Sequence, residues 1–211
     1  MKINVEGVVL DGELTIPSGA KGIVLFAHGS GSSRHSPRNQ FVARTIQRSR
    51  TGTLLFDLLT REEEIEDDRD AHLRFDIALL ARRLVGATRW LASCPAAKDL
   101  GIGYFGSSTG GAAALVAAAE LGSAIDAVVS RGGRADLAGV ALTRVTAPTL
   151  LIVGEWDDFV LALNREACGQ MRCPNQLVVV PRATHLFEEP GTLDQVASIA
   201  AEWFRLHLKQ K

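Results

Sequence analysis

The chain has 211 residues, 46% of them hydrophobic, and a formal net charge of −1 at pH 7. This suits a single domain over 1–211 with one substantial core, and the near-neutral balance leaves no electrostatic footprint for nucleic acid or an anionic membrane. No apolar run is long enough to span a bilayer, Met1–Gly7 lack the apolar core of a signal peptide, and Cys94, Cys168 and Cys173 have no metal-ligand spacing, so a cytoplasmic protein with idle thiols is expected.

Residues 2–16 alternate apolar and polar, and Asp11-Gly12 reads as the turn of an antiparallel hairpin. Ile23–Ala27 is a continuous apolar run, as in a strand buried on both faces, and it leads into His28-Gly29-Ser30-Gly31-Ser32-Ser33. After Pro37, Asn39–Arg48 places Phe41, Val42, Thr45 and Ile46 on one helical stripe, and Thr53–Leu59 is a second buried strand containing Asp57. Arg61–Asp70 is dense in charge and reads as a solvated connection or helix end. From Ala71 to Ala92, Leu73, Ile77, Leu80, Leu84, Ala87 and Leu91 recur every three or four residues, which predicts a long amphipathic helix.

Cys94–Asp99 reads as a loop, and residues 100–111 follow: Leu-Gly-Ile-Gly-Tyr-Phe-Gly-Ser-Ser-Thr-Gly-Gly. They contain Gly106-x-Ser108-x-Gly110 between an apolar run and the Ala-rich stretch Ala112–Ala119, the strand–turn–helix setting of a nucleophile elbow. The same glycines also spell Gly101-x-Gly103-x-x-Gly106, a nominal dinucleotide fingerprint; no strand precedes Gly101, so that reading is set aside. Three further strands follow: Ile125–Ser130 before Arg131-Gly132-Gly133-Arg134, Pro148–Gly154 before Glu155-Trp156-Asp157-Asp158, and Gln176–Val180 before Pro181-Arg182-Ala183-Thr184-His185. A final helix runs from about Leu193 to Leu208, with Val196, Ile199, Ala200, Trp203 and Phe204 facing inward.

Short apolar strands alternating with helices imply an α/β fold, a mostly parallel twisted sheet with helices on both faces. Ligands bind such sheets at the carboxyl ends of the strands, where every polar motif above falls. Ser108, Asp157 and His185 give the order nucleophile, acid, base, each in a loop after a strand. A serine hydroxyl needs an imidazole to take its proton, and the imidazole needs a carboxylate to fix its tautomer. Asp158 competes with Asp157 for the acid; the Gly154-x-x-Asp157 spacing favours Asp157, with Asp158 capping the next helix.

On His28-Gly29-Ser30-Gly31-Ser32, Gly106-Ser107-Ser108-Thr109-Gly110, Gly154-Glu155-Trp156-Asp157 and Thr184-His185-Leu186-Phe187-Glu188, the chain resembles a dienelactone-hydrolase-like member of the α/β-hydrolase superfamily. It is also similar to hydrolase modules fused to phosphoribosyltransferase domains. The resemblance, from Ile23 to the last helix, implies backbone N–H groups of Ser30 and Thr109 as the oxyanion hole and His28 as a brace of its loop. It departs at the nucleophile, a cysteine in dienelactone hydrolases proper and Ser108 here, which places dienelactone specificity in doubt and leaves acyl transfer intact. Ser108 also rules out dehalogenase chemistry, which needs a carboxylate there.

Superfamily lids commonly follow the strand that ends near Ser130; only Arg131–Ala147 lies there, so no lid domain is expected. Arg34, His35 and Arg38 follow the oxyanion loop, and Arg131 and Arg134 follow a neighbouring strand. Converging over Ser108, they would recognise a carboxylate or phosphate on the substrate; the alternative is that they are solvated or paired with the acidic run at 62–70. The function expected is cleavage of a small ester or thioester, an anionic one where the arginines converge, through an acyl-enzyme. No metal or other cofactor is expected. The expected partners are the small-molecule ester and a second copy in a homodimer, with no nucleic acid and no membrane. A competing reading is an inert hydrolase-fold module serving a partner protein; amide or C–C hydrolysis would use the same three residues.

Overall fold

Continuous apolar runs build the centre of the molecule. The computed structural model describes residues 1–210, and among them eight strands form one sheet: β1 (Lys2–Val5), β2 (Val8–Thr15), β3 (Gly22–Ala27), β4 (Gly52–Phe56), β5 (Gly101–Ser107), β6 (Ala127–Arg131), β7 (Thr149–Gly154) and β8 (Asn175–Val180). Their spatial order is β1-β2-β4-β3-β5-β6-β7-β8. β1 and β2 pair antiparallel, as do β2 and β4, and every pairing from β4 to β8 is parallel. β3, β4, β5 and β7 are buried along their whole length, which is why their sequences are apolar without alternation. β8 closes one edge and is buried only in part.

The hairpin turn lies elsewhere than Asp11-Gly12. Val5 pairs with Val8, so the turn is Glu6-Gly7, with φ of 45° and 89°. Positive φ at both central residues is the type I′ geometry that suits the twist of a two-residue hairpin. Asp11 and Gly12 sit inside β2 instead, and a Cβ on Gly12 would stand 2.6 Å from Ile3 Cδ1.

Among the described residues six α-helices flank the sheet: α1 (Pro37–Arg48), α2 (Arg61–Asp70), α3 (Ile77–Ala92), α4 (Thr109–Leu121), α5 (Asp158–Gln170) and α6 (Thr192–His207). α1 and α6 cover one face, over Val24, Phe26, Phe105 and Val129; α3 and α4 cover the other, over Leu25, Leu54, Tyr104 and Val128. Tyr104 is fully buried there, its hydroxyl 2.6 Å from Thr88 Oγ1, which itself donates to Leu84 O. α5 sets Val160 and Leu161 against Val153 at the β8 edge. Among the described residues no helix is long and apolar enough to cross a membrane.

Two readings of the connections change. The charge-dense run is the helix α2, although Asp67 is its only buried residue. It is held by polar bonds: Thr60 Oγ1 accepts the Glu63 N–H while the Glu63 carboxylate accepts the Thr60 N–H, a capping box. Asp67 then accepts the backbone N–H groups of Leu73 and Arg74 just beyond the helix end. α3 starts at Ile77 rather than near Ala71, because Asp76 caps it by accepting the Leu79 N–H at 2.9 Å; Leu73–Phe75 form a separate 3-10 turn. Between β6 and β7 lie short 3-10 turns over Ala135–Arg144.

Candidate active site

Ser108 stands alone between β5, which ends at Ser107, and α4, which begins at Thr109. Its backbone is at φ 51°, ψ −121°, a conformation that costs a residue with a Cβ. The surroundings fix it there. Its N–H donates to Arg131 O at 3.2 Å, and its carbonyl accepts from Gly111 and Arg134 N–H at 3.0 and 3.1 Å. α4 can begin this close to the sheet because residue 110 is glycine: a Cβ there would lie 2.1 Å from Ala27 O.

His185 and Asp157 come from the loops after β8 and β7. Those loops are tied by Glu155 N–H to Val180 O and Trp156 N–H to Ala183 O, both 2.9 Å, and by Arg182 N–H to the Glu155 carboxylate at 2.7 Å. Asp157 occupies the N-cap position of α5 yet caps nothing; its Oδ2 lies 2.6 Å from His185 Nδ1. Asp158 is exposed in the first turn, so of the two acids it is Asp157 that meets the histidine. With Nδ1 engaged, Nε2 is the ring nitrogen left to face a hydroxyl. Gly132 lies against the imidazole, where a Cβ would sit 3.3 Å from Nδ1, at φ 52°. Among the described residues no hydrogen bond joins Ser108 Oγ to His185, whose one side-chain partner is Asp157.

The loop after β3 supplies the third wall. His28 is buried, with Nδ1 3.0 Å from Gly29 O and Nε2 accepting the Leu58 N–H at 3.0 Å. Burial pushes its pKa below the ordinary imidazole value, and the pattern is that of a neutral ring, Nδ1–H donating and Nε2 accepting. It therefore ties the Gly29–Ser30 turn to the end of β4. Among the described residues the Ser30 N–H donates to no protein group. Ser30 and Thr109 both line a cleft of about 390 Å³, whose far wall is α2 with Glu64, Asp67 and Asp68. Burial, then the nearby Asp57, raises the Glu64 carboxyl. Thr109 Oγ1 is buried without a partner at the same cleft.

The arginines divide among internal acids. Arg34 pairs with Asp57, its backbone N–H donating to Oδ1 at 2.7 Å and its guanidinium to Oδ2. Arg134 makes a bidentate pair with Asp136 at 2.9 and 2.8 Å and lies over the Phe159 ring. Arg38 donates to Glu188 at 2.9 Å, and His35 is exposed. The partners differ from the acidic run at 62–70, which is occupied by Arg74 and Arg83. Arg131 is buried, with no acid beside it. The four expected substrate contacts thus do not form one cluster of free cations over Ser108. Sequence reasoning also missed Asn164, whose Nδ2 donates to Gly133 O and Val160 O, both at 2.8 Å, and so fixes the loop that abuts His185.

For metals, Asp67, Asp70 and His72 bring ligand atoms within 4.8 Å of one another. Asp67 already spends both oxygens on Leu73 and Arg74, and Asp70 is paired with His72, so the group reads as a helix-end bracket. All three thiols are raised by burial, which suits inert cysteines.

The dienelactone hydrolase family model matches residues 11–208. A dienelactone hydrolase from Anabaena variabilis superposes with a TM-score of 0.98 at 59% identity, over 99% of this chain and 97% of that one. Est1E from Butyrivibrio proteoclasticus, solved with ferulic acid, shares the fold at a TM-score of 0.82 and 18% identity, over 98% of each chain. A curated Mycobacterium tuberculosis relative named as a phosphoribosyl transferase is 57% identical over 201 residues. The match takes in 95% of this chain but 44% of the relative, so the chain spans less than half the length of that protein.

Proposed function

The chain belongs to the dienelactone hydrolase family, within the α/β-hydrolase fold, and we propose that it cleaves a small ester or thioester with Ser108 as nucleophile, His185 as base and Asp157 as the acid behind it. The observation that carries this reading is the backbone of Ser108: a non-glycine residue at φ 51°, ψ −121° on a strand–helix junction, the setting of a nucleophile elbow. In the first half-reaction Ser108 Oγ attacks the acyl carbon as His185 Nε2 takes its proton. The carbonyl electron pair moves onto the oxygen, which collects the N–H groups of Ser30 and Thr109. The imidazolium, steadied by the Asp157 carboxylate at Nδ1, gives the proton to the departing alcohol or thiol. Water, deprotonated by the same Nε2, then releases the acid and restores Ser108.

The cleft bears on the substrate. It lies beside Ser30 and Thr109, with Ser108, Asp157 and His185 outside its lining; its volume of about 390 Å³ suits a compact ester, and Glu64, Asp67 and Asp68 meet Arg74, Arg61 and the already paired Arg34. A wall with surplus negative charge favours neutral esters over anionic ones. Burst kinetics with p-nitrophenyl acetate and butyrate test the chemistry: one equivalent released per chain, then turnover, with both lost in Ser108→Ala. A second reading is a hydrolase-fold module that serves a phosphoribosyl transferase partner; what favours it is the greater length of the Mycobacterium tuberculosis relative. Failure of Ser108 to react with a fluorophosphonate would select that reading.

A further inference from the structure

Around the carboxyl ends of the strands, Arg34 is paired with Asp57, Arg38 with Glu188, Arg74 with Asp67 and Asp68, and Arg134 with Asp136, while Arg61 and Arg182 are exposed to solvent. Arg131, the last residue of β6, is the exception. It is only 7% exposed, its Nε and Nη1 are shut off from solvent, and among the described residues neither finds an acceptor. Its guanidinium carbon lies 5.9 Å from the centre of the Phe187 ring, two residues beyond His185. Burial, and then the charge of Arg38, push its pKa down to about 10, so it still carries its charge at neutral pH.

Arg38 shows the same deficit. One of its terminal nitrogens serves Glu188, while its Nε is buried without a partner. The neighbouring Asn39 Oδ1 is a buried acceptor without a partner, yet it reaches neither guanidinium. Three buried donor nitrogens on two mutually repelling cations, one against Phe187 and the other bonded to Glu188, therefore have nothing to accept them. Buried donors are ordinarily paired. A desolvated guanidinium left alone is a large penalty, and one contact with an aromatic face at nearly 6 Å is the smaller of the two effects. What such a place lacks is negative charge with oxygen lone pairs, which two forked donors bind well.

We propose that Arg131 and Arg38 hold a small oxyanion, a phosphate or a carboxylate, beneath the His185 loop, where Arg131 lies against Phe187 and Arg38 bonds Glu188. Binding there removes the one uncompensated buried charge of the site region. It also braces Phe187, and through it the segment that carries His185.

The test is thermal unfolding of the full chain in increasing inorganic phosphate, then in acetate, at fixed ionic strength. Wild type should gain roughly 3–5 °C per tenfold rise in the bound anion above its Kd. Arg131→Met, which keeps length and removes the charge, should show no anion-dependent gain and should be the more stable form without anion. Arg38→Gln alters a partly exposed residue and should need roughly tenfold more anion for the same gain. Calorimetric titration should find one site in wild type and none in Arg131→Met. A wild-type melting temperature unmoved by either anion overturns the proposal. So does an equal rise in all three proteins, the general effect of an excluded salt. Should Arg131→Met not fold, wild type and Arg38→Gln decide alone: the same anion requirement in both overturns the proposal.

Discussion

Replacing Ser108 by glycine should stabilise the protein while abolishing hydrolysis. At φ 51°, ψ −121° the residue is in a region open to glycine and costly for any side chain, with a strain of about 1–3 kcal/mol. The two backbones approach closely at this point, since a Cβ on Gly29 would stand 3.0 Å from Ser108 Cβ. Against the gain stands the extra freedom of glycine in the unfolded chain, about 0.5–1 kcal/mol. Ser108→Ala is the proper reference, because it removes the hydroxyl and keeps the Cβ. Ser108→Gly should therefore exceed Ser108→Ala by about 0–2.5 kcal/mol, centred on about 1 kcal/mol, or roughly 2–4 °C at the centre in a chain of this length. Urea unfolding followed by circular dichroism measures the difference, and ester turnover should be equally absent in both. If glycine is less stable than alanine by the full ~0.5–1 kcal/mol of its unfolded-state freedom, the backbone is unstrained, and the chief support for a nucleophile at 108 goes with it.

Two further changes probe the frame. His28 is buried neutral with a depressed pKa, so the unfolded chain binds more protons than the folded one once pH falls below the ordinary value of about 6.5. Stability should be fully present above that pH and fall by up to about 1.4 kcal/mol per unit on the way down to the folded-state pKa; His28→Gln should flatten that slope in urea titrations between pH 7 and 5, and an unchanged slope would refute the assignment. Gly110→Ala should cost several kcal/mol, since its Cβ would fall 2.1 Å from Ala27 O and 2.5 Å from His28 O, both backbone atoms. The melting temperature would show it, and a loss below about 1 kcal/mol would mean that α4 can shift off β3 freely.

How much of this was legible follows from what each residue has to bury. β3, β4, β5 and β7 declare themselves because both their faces are covered, so apolar side chains run unbroken. α2 does not, because it offers the core only Asp67 and is held by a capping box and by ion pairs, features that a search for an apolar stripe passes over. The hairpin was misplaced for a related reason: Asp11-Gly12 carries the better turn signal, but Glu6 accepts a positive φ of 45° and leaves residues 11 and 12 in the strand. Ser108, Asp157 and His185 were legible as loop residues after strands, since strand order fixes which ends lie together. The arginines were not. Arg34 meets Asp57 across 23 residues and Arg38 meets Glu188 across 150, and no local pattern foretells such pairs.

The segment Arg131–Arg134 ties these parts together. Its first and last residues bracket the Ser108 peptide, one accepting the N–H and the other donating to the carbonyl. Between them, Gly132 donates to Ile152 O at 2.7 Å and lies against the His185 ring, and Gly133 O is held by Asn164. The serine and the histidine, 77 positions apart in sequence, are thus set against one short piece of backbone hydrogen-bonded to β7 and α5. Such a piece can carry the strain of Ser108 because no bond in it can relax without breaking another. It also explains the two adjacent glycines. A side chain at 132 would crowd the imidazole, and a Cβ at 133 would lie 1.8 Å from Ser130 Oγ. The position of the imidazole relative to the serine is set by this backbone more than by any direct bond between the two side chains.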